Sequence, residues 1–77
     1  MSITPNPSAG EFRIDLGTMK KTVNLTMNIY DEHGRLTTTK KLSGNISFGN
    51  DFKSGIYFAE ILDNNIRINH TKIVKSK

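Results

Sequence analysis

The chain holds no cysteine and no tryptophan, and only two prolines and two histidines, in 77 residues. Without cysteine it can form neither a disulfide staple nor a thiolate metal site, and two histidines exclude most compact zinc modules. No apolar run approaches the roughly 18 residues that a membrane-spanning helix needs. No basic-then-apolar signal peptide opens the chain. The glycines are isolated, so no phosphate-cradling loop is available. Acidic residues are few: seven Asp plus Glu against eleven Lys plus Arg give a net charge of +4. The paired and C-terminal lysines (Lys20/Lys21, Lys40/Lys41, Lys72, Lys75 and Lys77) lie between expected turns and at the C-terminus, without interleaved aromatics. That dispersion suits solvated strand edges better than a nucleic-acid footprint. Neither nucleic acid nor membrane insertion is therefore expected.

What is present is a 35% hydrophobic complement for one small domain. Ordering the chain costs about 1.5 kcal/mol per residue, on the order of 100 kcal/mol in all. The core must therefore use nearly every apolar side chain.

Those side chains recur with period two. Phe12, Ile14 and Leu16 alternate with Glu11, Arg13 and Asp15; Val23, Leu25, Met27 and Ile29 alternate with Thr22, Asn24, Thr26 and Asn28. Such runs predict antiparallel strands with one buried and one wet face. Further strands are expected at Leu36 to Leu42, Asn45 to Phe48, Gly55 to Leu62 and Ile66 to Val74. The Gly55 to Leu62 run is apolar on both parities, as a central sandwich strand would be. Ile3 and Thr4 would add a seventh strand if they pair. Breakers separate the runs: Gly17 to Lys21, Asp31-Glu32-His33-Gly34, Ser43-Gly44, Gly49-Asn50-Asp51, and Asp63-Asn64-Asn65, a primed hairpin turn by composition. The expected fold is an all-β, immunoglobulin-like antiparallel β-sandwich of six to seven strands. Residues 1–10 read as a linker and Pro-rich lead-in, and 11–77 as the sandwich. Met1 reads as an added start on an excised domain, because Ser2 to Pro7 reads as the middle of something longer. The expected core is Phe12, Ile14, Leu16, Val23, Leu25, Met27, Ile29, Ile46, Phe48, Tyr57 and Ile61. Tyr57, just inside a strand after Lys53-Ser54-Gly55, suits a tyrosine corner whose hydroxyl bonds back to the preceding loop.

Catalytic groups are thin. Asp31, Glu32 and His33 are neighbours in a turn and diverge. His70 sits in a strand. Ser8, Ser43, Ser47 and Ser54 have no His and carboxylate company for a triad. Asp51 and Asp63, with Asn50, Asn64 and Asn65, could offer oxygen to calcium but lack the spaced carboxylates of a defined loop. Asn24-Leu25-Thr26, Asn45-Ile46-Ser47 and Asn69-His70-Thr71 match the glycosylation triplet but read as strand-face polar residues. No enzyme activity, cofactor or metal is expected.

Four short segments stand out together: Pro5-Asn6-Pro7 with Gly10 and Phe12; Asp31-Glu32-His33-Gly34-Arg35; Ser54-Gly55-Ile56-Tyr57 leading to Ile61; and Lys72-Ile73-Val74-Lys75. In this order and spacing, from Ile3 to Lys75, the chain closely resembles the type A C-terminal sorting domain of type IX secretion cargo of Bacteroidota. Thr4 stands where that family often has an aromatic, Phe52-Lys53 replaces a frequent Leu-Pro, and Asn64-Asn65 a Gly-containing turn. The resemblance implies a secretion signal. The domain would be recognised by the outer-membrane translocon and its shuttle protein, passing through the periplasm to the cell surface or beyond. A sortase-like peptidase would in many cargoes remove it and attach the cargo to the surface, with the scissile bond at or before Met1 to Thr4. It further implies Gly55, Tyr57, Lys72, Ile73, Val74 and Lys75 as the residues read, with Pro5, Asn6, Pro7, Gly10, Asp31, Gly34 and Arg35 as structural motif residues. The last strand would leave a sheet edge available for pairing, with lysines along it, and could swap between copies, so a monomer or a strand-swapped dimer is expected. The alternative reading is an immunoglobulin-like accessory module of a secreted enzyme, binding carbohydrate or protein.

Overall fold

The alternating runs become seven strands in the computed structural model, which describes residues 2–16 and 25–76. They are β1 (Ser2–Thr4), β2 (Phe12–Asp15), β3 (Leu25–Asp31), β4 (Leu36–Leu42), β5 (Ile46–Phe48), β6 (Gly55–Asp63) and β7 (Ile66–Lys75). No helix occurs among the described residues. Two antiparallel sheets form, one ordered β1-β2-β5 and the other β4-β3-β6-β7. Ser2–Thr4 is thus a paired strand, with Ile3 opposite Ile14, rather than free lead-in.

Period two decides what each sheet contributes to the core. Ile3, Phe12, Ile14 and Phe48 from the smaller sheet face Leu25, Met27, Ile29, Leu42, Tyr57, Ala59, Ile61 and Ile73 from the larger. Phe12, Ile14, Met27, Ile29, Ile61 and Ile73 are completely buried. The expected core members Leu16 and Ile46 are instead half-buried at its margin, joined there by Phe52. Each lies at the end of a short strand, where the sheets no longer cover both sides. Val23 falls outside the described residues, as do the breaker Gly17 to Lys21 and the start of the run before Leu25.

Local chemistry sets the turns. The β3–β4 connection, Glu32 to Arg35, is held by Asp31, whose carbonyl accepts from Gly34 N at 3.0 Å and whose amide donates to Arg35 O at 2.9 Å. Gly34 closes it at φ 79°. Between β6 and β7, Asn64 and Asn65 take φ 52° and 68°, the paired positive values of a primed two-residue turn, between the partners Asp63 and Ile66. A β-bulge interrupts the β6–β7 register between Ile61 and Leu62.

The tyrosine corner is present: Tyr57 Oη donates to Lys53 O at 2.7 Å. It ties the loop before β6 to the strand it feeds. Tyr57→Phe removes this bond and little else, at about 0.5–1.5 kcal/mol. For a domain this size the thermal midpoint should fall by roughly 4–8 °C per kcal/mol lost. An unchanged midpoint in a calorimetric scan would show that the corner carries no stability.

Candidate functional site

The first and last of the four segments meet in space. β7 is the edge of the larger sheet, and the lead-in runs along its outer side. Asn6 side-chain groups replace a strand partner: Nδ2 donates to Lys72 O and Oδ1 accepts from Val74 N, both at 3.0 Å. Ser8 then bridges to Lys75 in parallel, its amide donating to Val74 O at 2.9 Å and its carbonyl accepting from Ser76 N at 2.8 Å. Asn6 sits between Pro5 and Pro7, both in cis peptide bonds to the residues before them. The edge expected to be open is therefore closed over residues 72–76, and a strand added there would have to displace the lead-in. Proline and a side-chain amide suit this task, because a lead-in built from them offers no long ladder of its own.

Ser8 is itself buried, with Oγ donating to Glu11 O at 2.7 Å and accepting from Gly10 N at 3.2 Å. It pins the bend that leads into β2.

Lys75 departs most from expectation. An edge lysine is expected to be exposed, yet Lys75 is only 2% exposed. Its Nζ donates to Gly10 O and Gly49 O at 2.5 Å each, and to Asn50 O at 3.2 Å. An ammonium has three protons to donate, and here three backbone carbonyls accept them. No carboxylate takes part. The reason is topological: Lys75 has the inward parity of Ile73, and at the sandwich end the β5–β6 loop and the bend at Gly10 turn their carbonyls toward it. Lys72 is exposed, as expected of an edge lysine; Lys77 lies outside the described residues.

Two glycines make this end possible. Gly49 is buried at φ 81°, and a Cβ there would lie 3.0 Å from Phe12 Cδ2. Gly55, opposite Lys75 in the β6–β7 register, has φ 149°, a value L-residues rarely adopt. Beneath them runs a chain of rings: Phe12 on Phe48 at 5.5 Å, Phe48 on Phe52 at 6.2 Å, and Phe52 on Tyr57 at 4.7 Å. Burial, and then the nearby charges of Asp31 and Glu32, push the Tyr57 phenol up from its ordinary range.

The second segment stands at the same end of β6, since Asp31 pairs with Tyr57. Asp31 Oδ1 accepts from His33 N at 2.9 Å and Arg35 N at 3.0 Å, and Oδ2 meets Arg35 Nε at 3.1 Å. The Arg35 amide, foremost, and then the His33 amide and the Arg35 charge hold its carboxyl below the ordinary value of 3.8. A depressed folded pKa gives stability that is present above the unfolded value and lost as pH falls through the folded one. Wild type should therefore melt above Asp31→Ala at neutral pH, and the gap should narrow below about pH 4. A gap constant with pH would mean the carboxylate charge is not what holds the turn.

Asp51 and Asp63 are not brought together. Asp51 lies in the loop before β6 and Asp63 is the last residue of that strand, which is about 25 Å long at strand rise. No group of three or more His, Cys, Asp or Glu able to hold a metal ion occurs among the described residues. Asn45 does have a task, with Oδ1 accepting from Leu16 N at 3.0 Å. Sequence reasoning missed Ser8, Gly49 and Asn50; the breaker cluster 49–51 was visible, but not that its carbonyls face a lysine.

The fold and this end of it define a class: a small antiparallel β-sandwich with a tyrosine corner, its last strand clasped by its own lead-in, and no convergent catalytic groups among the described residues. Over residues 2–76 the chain matches the family described as the secretion system C-terminal sorting domain. It belongs to that family, the sorting domain of type IX secretion, which marks proteins for export from the cell. It is also 33% identical over 76 residues to an endo-acting ulvan lyase of Formosa agariphila, covering 94% of this chain and 14% of the lyase. The chain thus spans about one seventh of the length of the curated relative it matches.

Proposed function

We propose that this domain directs the protein it terminates from the periplasm across the outer membrane, by presenting a folded surface to the type IX translocon and its shuttle protein. The observation that carries the reading is family membership over residues 2–76. The clasp supports it, because a receptor needs a defined surface and the clasp fixes the last strand in one register. Lys72 and Val74 offer contact atoms. Ile73, Lys75, Gly55 and Tyr57 act by holding that strand and the corner beside it. Removal of the domain by a sortase-like peptidase, with attachment of the cargo to the surface, belongs to the same proposal; that chemistry would be the peptidase's.

The test is a reporter bearing an N-terminal signal peptide, fused to residues 2–77, in a type IX-competent cell. The reporter should reach the outside, and should stay in the periplasm of the same cell with its translocon disrupted. Retention in the competent cell, or release from the disrupted one, would overturn the reading. Loss of the tail from the exported reporter would report the peptidase step.

A further inference from the structure

The outer face of the larger sheet carries large apolar side chains in water. Register sets its side chains in rows. Leu36, Tyr30, Phe58 and Lys72 are successive cross-strand neighbours, with Ile56 and Val74 paired in the row beyond. Alternation puts them opposite the core residues Met27, Ile29, Tyr57, Ala59 and Ile73. Leu36 is 56% exposed, Ile56 39% and Phe58 44%. Gly55 to Leu62 is a central strand, as expected, lying between β3 and β7, and its second apolar parity, Ile56 and Phe58, faces outward. The fold has two layers, and the smaller sheet covers one face of β6 only. A domain that needs its apolar side chains for the core nonetheless keeps a contiguous apolar row in water. Contiguity of this kind, unlike single exposed residues, marks an interaction surface.

The charges of this face say what it fits. Among the described strand residues of this face the one carboxylate, Glu60, is occupied: Oε1 accepts from Tyr30 Oη at 3.0 Å and Asn28 Nδ2 at 3.5 Å, and Oε2 lies 4.0 Å from Arg67 Nη1. The Glu60 bond and charge push the Tyr30 phenol up. Lys72 ends the apolar row, and Lys41 lies two rows away, both exposed. Lys41 and Lys72 flank an apolar centre, with Glu32 standing off its end beside Gly55. A second copy would offer those lysines further lysines, whereas an acidic surface complements them.

We propose that this face docks an acidic protein surface of the export machinery, one that sets apolar side chains among carboxylates. The inference rests on the sorting function above and names the face that is read.

The experiment uses the reporter fusion, whose cargo is unrelated, so no natural neighbouring domain is present to cover the face. Leu36→Thr/Ile56→Thr/Phe58→Thr keeps strand-forming residues and should leave the isolated domain's thermal midpoint within a few degrees while exported reporter falls at least about tenfold. Lys41→Glu/Lys72→Glu, which touches no apolar packing, should also impair export, and decides the matter if the triple variant fails to fold. Arg13→Glu, on the smaller sheet, should export normally. Full export of a folded triple variant, or of the charge-reversed one, overturns the proposal while leaving the sorting function standing, since the wild-type fusion still exports. A wild-type fusion that is itself retained overturns both. A wild-type dimer in sedimentation velocity that the triple variant abolishes would assign the face to a second copy instead.

Discussion

Lys75→Met is expected to lower the thermal midpoint far more than Lys72→Met, although the two lysines lie three residues apart in β7. Methionine keeps the length and apolar character of the stem and removes only the ammonium. The carbonyls of Gly10, Gly49 and Asn50 then lose their shared donor. A hydrogen bond from a charged donor contributes about 1.5–3 kcal/mol, and a buried acceptor left without a partner costs about 1–3 kcal/mol. Some of these carbonyls can turn to water, so the net loss should be ~2–5 kcal/mol. A domain of this length has about 4–12 kcal/mol to lose. The midpoint should drop by at least about 8 °C, at roughly 4–8 °C per kcal/mol. Lys75→Glu places a carboxylate among carbonyl oxygens and should not fold. Lys72→Met, on the exposed side, should stay within about 0.5 kcal/mol of wild type. Equal midpoints for the two methionine variants would refute the role assigned to the cradle.

Phe12→Ala should be at least as damaging. Phe12 is completely buried, stacks on Phe48, and is the side chain against which Gly49 packs without a Cβ. Truncating a buried phenylalanine costs about 3–5 kcal/mol through lost burial and the cavity left behind. Here the cavity opens beneath the Gly49 carbonyl that receives Lys75, so the clasp should loosen with the core. The matching control is Phe58→Ala, an exposed ring on the outer face, expected within about 0.5 kcal/mol of wild type. Chemical denaturation of the three proteins measures this directly. A Phe12→Ala domain as stable as the Phe58→Ala one would mean the core lies elsewhere.

These two residues mark what the sequence can and cannot say. Phe12 was legible because burial by parity is local: a strand of period two declares its inner face. So were the Asn64-Asn65 turn and the Tyr57 corner, each set by neighbouring residues. Lys75 was not legible, because its acceptors come from 65 and 26 residues away, and lysine types are almost always solvated. The closure of β7 by Asn6 was hidden likewise: its partners lie 66 and 68 residues on. The exposure of the outer row of β6 was not legible for a third reason. An apolar residue at an outward position looks the same in sequence whether a second layer of the fold covers it or the surface is left for another protein.

The central claim is that the export signal is the folded surface rather than a linear peptide. Phe12→Ala tests it most directly, because it alters a side chain that no receptor can touch and leaves every exposed residue unchanged. The measurement is the fraction of reporter found outside a type IX-competent cell when the fused tail is wild type or Phe12→Ala, at a growth temperature where the isolated variant is unfolded. The wild-type fusion should be outside and the variant fusion held in the periplasm. Export of the variant at the wild-type level would contradict the account, since the machinery would then be reading the chain and not its fold.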